Sequence, residues 1–262
     1  MLGFVSKSGN TFVTDAKVLD VGTKKLLGTT NSRGDSPDSI FKNQVDDLSR
    51  QIAKGVGLSE RKIEAAKMQV RDVTTGSTEA YNYYLKGREQ LIDYNWDGAR
   101  QSFEKAVQLD PTFTAAYFYL SWAYAMLNNG RERNEALKKA WNFSQKATEK
   151  EKLFIEADYA LKIENDSEKS FRICKETAEK YPKDKEVLSQ IAGVYGNSAM
   201  HEQSIEAYNK ALSLDPNYPD ALNLVAYEYM ALRNFEKAVG FGERKTKRHR
   251  ICFAPVFLIY ER

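Results

Sequence analysis

The chain has 262 residues, 42% hydrophobic and 29% charged, with a net charge of +3. That is enough apolar material for one large domain or two modest ones, and too little charge imbalance to argue for nucleic acid. Two cysteines make no disulfide framework and favour a reducing compartment, and two histidines leave little for metal chemistry.

Residues 2–6 and 11–21 read as extended segments joined by Ser8-Gly9-Asn10, a tight-turn signal. A second turn at Val21-Gly22-Thr23 leads to a short strand at 25–30, then to a loop, Asn31-Ser32-Arg33-Gly34-Asp35. Arg33-Gly34-Asp35 has the form of an integrin-binding motif, but ahead of a capped helix it reads as turn chemistry. Ser36 is placed to cap a helix with Pro37 at its first position. Ile40, Phe41, Val45, Leu48, Ile52 and Val56 form its expected buried stripe. Three strands and one helix in under 60 residues make a thin module, marginal by itself.

This module resembles the closing portion of the TolB amino-terminal-like (CsgG/FlgO-related) α/β domain. The resemblance rests on Gly3-Phe4-Val5-Ser6-Lys7-Ser8-Gly9-Asn10, on Val18-Leu19-Asp20-Val21, on residues 24–27 and on the helix at 39–56. It implies that residues 1–56 are an incomplete α/β module, with further elements upstream of Met1 and an unpaired edge strand without them. Residues 57–76 read as a linker, polar with helical potential over 59–69 and extended from 70.

From 77 to 239 the sequence recurs. Pro182 and Pro216 stand 34 residues apart, and Pro111 and Pro182 stand 71 apart, two such periods plus three. A period of 34 marks a helix–turn–helix unit stacked on copies of itself. With each proline at position 32, units start near 80, 114, 151, 185 and 219. The first carries Gly87, Ala99, Phe103 and Ala106 at positions 8, 20, 24 and 27; the fourth carries Ala192, Ser204, Tyr208 and Ala211 there. Small residues at 8 and 20 let the two helices approach, while the large residue at 24 and the small one at 27 seat the next unit. These columns resemble the tetratricopeptide repeat family over about 160 residues. The resemblance implies a mainly α-helical solenoid behind the small α/β module.

Three departures are read from the columns. The second unit is given three extra residues near 128–133, which puts Ala136, Ala140 and Phe143 at positions 20, 24 and 27. The third, counted from Glu151, has Asp158 at 8, Ser170 at 20, Cys174 at 24 and Thr177 at 27. In the fifth, position 24 falls on Gly242, and after Ala238 the second helix is expected to give way to a basic run at 243–250 and an apolar tail. Residues 240–262, with a net charge of +4, are therefore read as an aberrant basic and apolar end. The run could also meet an acidic surface or nucleic acid and, with the apolar tail, a membrane.

In the resembled family the inner face of the first helices is the functional surface, and positions 5 and 9 lie there one helical turn apart. They fall on Tyr84/Arg88, Phe118/Trp122, Ile155/Tyr159, Ser189/Gly193 and Asn223/Tyr227. Aromatic residues and Arg prevail, the types that carry most binding energy at interfaces. The expectation is that Tyr84, Arg88, Phe118, Trp122, Tyr159, Asn223 and Tyr227 line a groove for an extended peptide or a partner helix. The blander alternative is that several of them pack against neighbouring units. The Lys/Asn carboxylate clamp of the co-chaperone subset is not expected, since Asn223 alone is of the required type.

No catalytic set emerges. His201 and His249 sit at an inter-helix turn and in the tail, no zinc spacing exists, and Gly240-Phe241-Gly242 is not a phosphate-binding loop. An enzyme, a metal or a cofactor is not expected. No cleavable signal is visible, and the longest apolar run, 251–260, is half the length of a membrane span. The expectation is a soluble protein, cytoplasmic, or extracytoplasmic if an upstream part supplies a signal or membrane segment. Its expected role is a scaffold or adaptor for a protein or peptide. The alternative is the regulatory or sensory carboxyl part of a larger signalling protein whose catalytic or DNA-binding domain lies elsewhere.

Overall fold

The structure is a computed structural model describing residues 2–19, 23, 25–59 and 74–246. β1 (Leu2–Ser8), β2 (Thr11–Leu19) and β3 (Leu26–Gly34) form an antiparallel meander in chain order. Gly9 takes φ 59°, the left-handed geometry that the two-residue hairpin between β1 and β2 demands. β3 runs longer than expected. Residues 31–34 pair with 12–15, so Arg33-Gly34 belong to a strand rather than to a loop. A Cβ at Gly34 would overlap Ser39 and Gln44, so the close approach of the chain at this point requires a glycine.

Ser36-Pro37-Asp38 make a turn instead of the first helical residues, a π-helical turn (Ile40–Gln44) follows, and α1 (Val45–Gly55) packs on β3. The contact is in large part polar, beside the expected apolar stripe. Fully buried Gln44 bonds Thr14, Ser32, Ser39 and Gly34 through its amide. Ser32 Oγ donates to Asp47 at 3.2 Å, and Gln51 Nε2 donates to the Asn31 carbonyl at 3.2 Å. The sheet face offers Thr14, Thr30 and Ser32, and the helix turns toward it the residues that can bond them. Leu48 is buried, Ile40, Val45 and Ile52 are half-buried, and Val56 is exposed.

Five helix pairs follow: α2 (Thr78–Ile92) with α3 (Trp96–Leu109), α4 (Thr114–Met126) with α5 (Gly130–Asn142), and α6 (Glu149–Tyr159) with α7 (Ser167–Lys180). Then come α8 (Lys185–Asn197) with α9 (His201–Leu214) and α10 (Pro219–Ala231) with α11 (Phe235–Thr246). The array is tied to the α/β module where it begins. The Thr78 amide donates to Asp38 Oδ1 at 2.7 Å, and Thr75 Oγ1 donates to Asp110 Oδ2 at 2.6 Å.

One backbone device punctuates every pair. Tyr94, Asn128, Asn165, Ala199 and Arg233 take φ of 57–59°, each two residues before a second helix. Their separations are 34, 37, 34 and 34 residues. Counted from them, the fifth residue on is Ala99, Arg133, Ser170, Ser204 and Ala238, and the ninth is Phe103, Leu137, Cys174, Tyr208 and Gly242. Asn tolerates this conformation; Ala pays about 1–2 kcal/mol for it. Ala199→Gly, at an exposed site, is therefore expected to stabilise the protein by up to about 1 kcal/mol and to raise Tm by about 2–4 °C in a thermal melt.

This register corrects the reading of three units. The second has no insertion at 128–133: Arg133, Leu137 and Ala140 hold positions 20, 24 and 27, the latter two buried, in place of Ala136, Ala140 and Phe143. The added residues lie further on, in a 3₁₀ turn (Ser144–Lys146) and a π-helical turn (Ala160–Glu164). A π turn inserts one residue into a helix, and this one shifts α6 by one place against the columns. Ser170 Oγ donates to the Ala157 carbonyl at 2.9 Å, as Ser204 Oγ does to Ala192 at 2.8 Å, so Ala157 and not Asp158 fills position 8. In the fifth unit the second helix is present. α11 continues through Gly242, which is buried, and Phe241 stacks on Tyr229 at 5.6 Å. The remainder of the basic run and the apolar tail, 247–262, and the linker over 60–73 lie outside the described residues.

Candidate partner-binding site

The first helices of the pairs face inward, and the coil is tight enough for α10 to touch α2. Arg88 Nη2 lies 3.8 Å from Asp220 Oδ2, Asn223 Nδ2 donates to the Ile92 carbonyl at 3.4 Å, and the Tyr94 and Tyr227 rings are 6.2 Å apart. The first and fifth units thus share a seam.

An aromatic knot fills the wall beside it. The Tyr84 ring lies 5.1 Å from Phe113 and 6.0 Å from Tyr119, and Phe118 lies 5.8 Å from Trp122. The Arg88 guanidinium sits 3.8 Å over the Tyr119 ring and donates to Tyr84 Oη at 3.3 Å. Burial alone would lower the Arg88 pKa, but Tyr119, Tyr84 and Asp220 outweigh it and hold the cation. Burial pushes the Tyr119 phenol well above its ordinary range, so it stays neutral.

Trp122 Nε1 donates to Asp158 Oδ2 at 3.1 Å. Burial raises the Asp158 carboxyl above its ordinary value, against the lowering effects of Trp122, Lys162 and Arg133. With a raised folded-state pKa, the native state holds its proton longer than the unfolded chain does. Stability tied to this group is therefore present below the unfolded value and lost as pH rises through the folded one. Against Asp158→Asn, which keeps an acceptor for Trp122, the wild type is expected to lose relative Tm as pH rises above about 4. Parallel melts across that range check it.

Of the residues expected to line a groove, six gather here: Tyr84, Arg88, Phe118 and Trp122 on one wall, Asn223 and Tyr227 on the facing one. They do not form an open row. Phe118 and Asn223 are buried at 2% and 6% exposure, Tyr84, Arg88 and Trp122 are half-buried and bonded, and Tyr227 is 40% exposed. Tyr159 is elsewhere. Its ring stacks on Trp141 of α5 at 4.9 Å, because the one-residue shift turns Phe154 and Asp158 inward in place of Ile155 and Tyr159. Ile155 is fully buried.

Sequence reasoning also missed Tyr94, Trp96, Tyr119 and Asp220. The last two follow Phe118 and Pro219 outside the chosen columns, and the first two become inward-facing only because the coil closes. Among the described residues no group of three or more His, Cys, Asp or Glu is placed to hold a metal ion, and no helix is long and apolar enough to cross a membrane. Between α2, α4, α8 and α10 opens a cavity of about 90 Å³, walled by Leu91, Tyr94, Trp96, Trp122, Met126 and Leu224 among others.

With this geometry in hand, residues 186–218 match the tetratricopeptide repeat family profile. That segment is the fourth unit, and the five pairs repeat its turn, so the fold is a tetratricopeptide-like solenoid preceded by a small antiparallel sheet. No curated protein matches. Among solved structures, a thermophilic tetratricopeptide protein of Thermus thermophilus is 16% identical, with 65% of this chain and 92% of that one covered at a TM-score of 0.40. MamA from Desulfovibrio magneticus is 14% identical over 66% of this chain and 97% of that one, at 0.35. YrrB, described as a tetratricopeptide protein with an unusual peptide-binding site, is 18% identical over 66% and 89%, also at 0.35. At these TM-scores none of the three bears on function here.

Proposed function

We propose that the chain is an interaction scaffold that binds a peptide or a partner helix at the mouth of its coil. One observation carries this. Met126, 47% exposed, lines the cavity with half-buried Trp96 and Trp122, and Tyr227, 40% exposed, adjoins it against the Tyr94 ring. Aromatic and Met side chains on preformed helices are what protein interfaces are enriched in. The repeat matched at 186–218 supports the same reading. Helices held by their neighbours bind without first having to order themselves.

Selection of a displayed peptide library on the immobilised chain tests it. Peptides that enrich should lose at least about tenfold in affinity on Trp96→Ala plus Tyr227→Ala, with far-UV circular dichroism unchanged. Tyr159→Ala, away from the mouth, should bind as the wild type does. No enrichment, or equal binding by all three proteins, refutes the proposal.

A second reading has its own support. The α/β module leaves Phe4, Val5, Leu26 and Leu27 at 55–59% exposure, apolar side chains on both faces of the sheet that further elements of a TolB amino-terminal-like domain would cover. On this reading the chain is the regulatory part of a larger signalling protein. A coding frame continuous through Met1 would support it, and an in-frame stop just upstream would end it.

A further inference from the structure

The cavity at the seam is chemically selective in a way that a generic peptide groove is not. Its walls are mostly rings and aliphatic chains: Leu91, Tyr94, Trp96, Trp122 and Leu224. Arg88 and Asp220 also line it, close enough to offset one another, so neither an anion nor a cation is favoured. Asn223, 6% exposed, supplies an unmatched acceptor. Its Nδ2 donates to the Ile92 carbonyl, while its buried Oδ1 has no hydrogen-bond partner among the described residues. A buried acceptor left unmatched is costly, and a ligand donor that reaches it recovers that cost.

We infer that this cavity is a binding site for a neutral single-ring aromatic carrying one O–H or N–H donor, the ring among the aromatic walls and the donor on Asn223 Oδ1. The size agrees. An apolar cavity of about 150 Å³ holds a whole benzene, and this one of about 90 Å³ is partly open to solvent, so a single ring enters with part of it left outside. The inference shares Trp96 and Trp122 with the scaffold reading but does not rest on it, because the ligand is a free small molecule and Tyr227 is not needed for it.

The test uses the full chain with p-cresol and toluene, which differ by one hydroxyl, followed by saturation-transfer NMR and thermal shift. p-Cresol should bind about three- to tenfold more tightly than toluene. Asn223→Leu should remove that preference while retaining toluene, and Leu224→Trp, which fills the space, should remove both ligands. If Asn223→Leu fails to fold, Leu224→Trp decides whether binding is at this cavity. Absence of binding by either ligand, equal binding by both, or binding that survives Leu224→Trp overturns the inference.

Discussion

Phe103→Ala is expected to cost about 3–5 kcal/mol, the range for emptying a closed aromatic site in a core. Phe103 is 0% exposed, and its ring lies 6.1 Å from Tyr84 and 6.2 Å from Tyr119, so one truncation loosens both the first pair and its junction with the second. The partner position makes the experiment sharper. A Cβ at Gly87 would lie 2.7 Å from Phe103 Cε1, so Gly87→Ala forces the same ring aside and should cost about 1–3 kcal/mol by overpacking. In the double variant the added methyl has room, so the two costs should add to clearly less than their sum. Urea melts of the four proteins give the coupling. Strict additivity would mean that the ring does not rest on Gly87.

Arg88→Ala is expected to cost about 2–4 kcal/mol, since it removes a desolvated cation–π contact and a charge-assisted hydrogen bond and strips Asp220 of a nearby cation. The loss should be distributed unusually. Arg88 belongs to the first unit and Asp220 to the fifth, so amides of α10 should exchange faster along with those of α2. Native-state hydrogen exchange reads this directly. Acceleration confined to α2 and its neighbours would show that the seam carries no energy.

The repeat was legible because its columns are steric. A glycine beneath a phenylalanine at Gly87/Phe103, and a serine that ties paired helices at Ser170 and Ser204, must recur wherever two helices pack in the same way. The π turn at 160–164 was not legible. Nothing in Ala160-Leu161-Lys162-Ile163-Glu164 departs from ordinary helical composition, and yet one inserted residue moved Tyr159 off the inner face and brought Asp158 onto it. The helix–sheet contact of the amino-terminal module was misread for a related reason. Hydrophobic spacing predicts which face is buried only when the opposing surface is apolar, and Thr14 and Ser32 instead select Gln44 and Asp47. The proposed binding face was half legible: residue types along the row pointed to it, but how far the coil closes is a sum of small rotations that no single residue reports.

A stack of like units normally has no preferred length, since each copy meets only the next one and another can always be appended. The contact between α2 and α10 fixes the number of units that lie between them. Slipping a sixth 34-residue copy into the middle would carry Asn223 away from Ile92 by the thickness of one helix pair. Duplication or deletion of a unit inside that interval would therefore have to be matched by new partners for both Ile92 and Asn223.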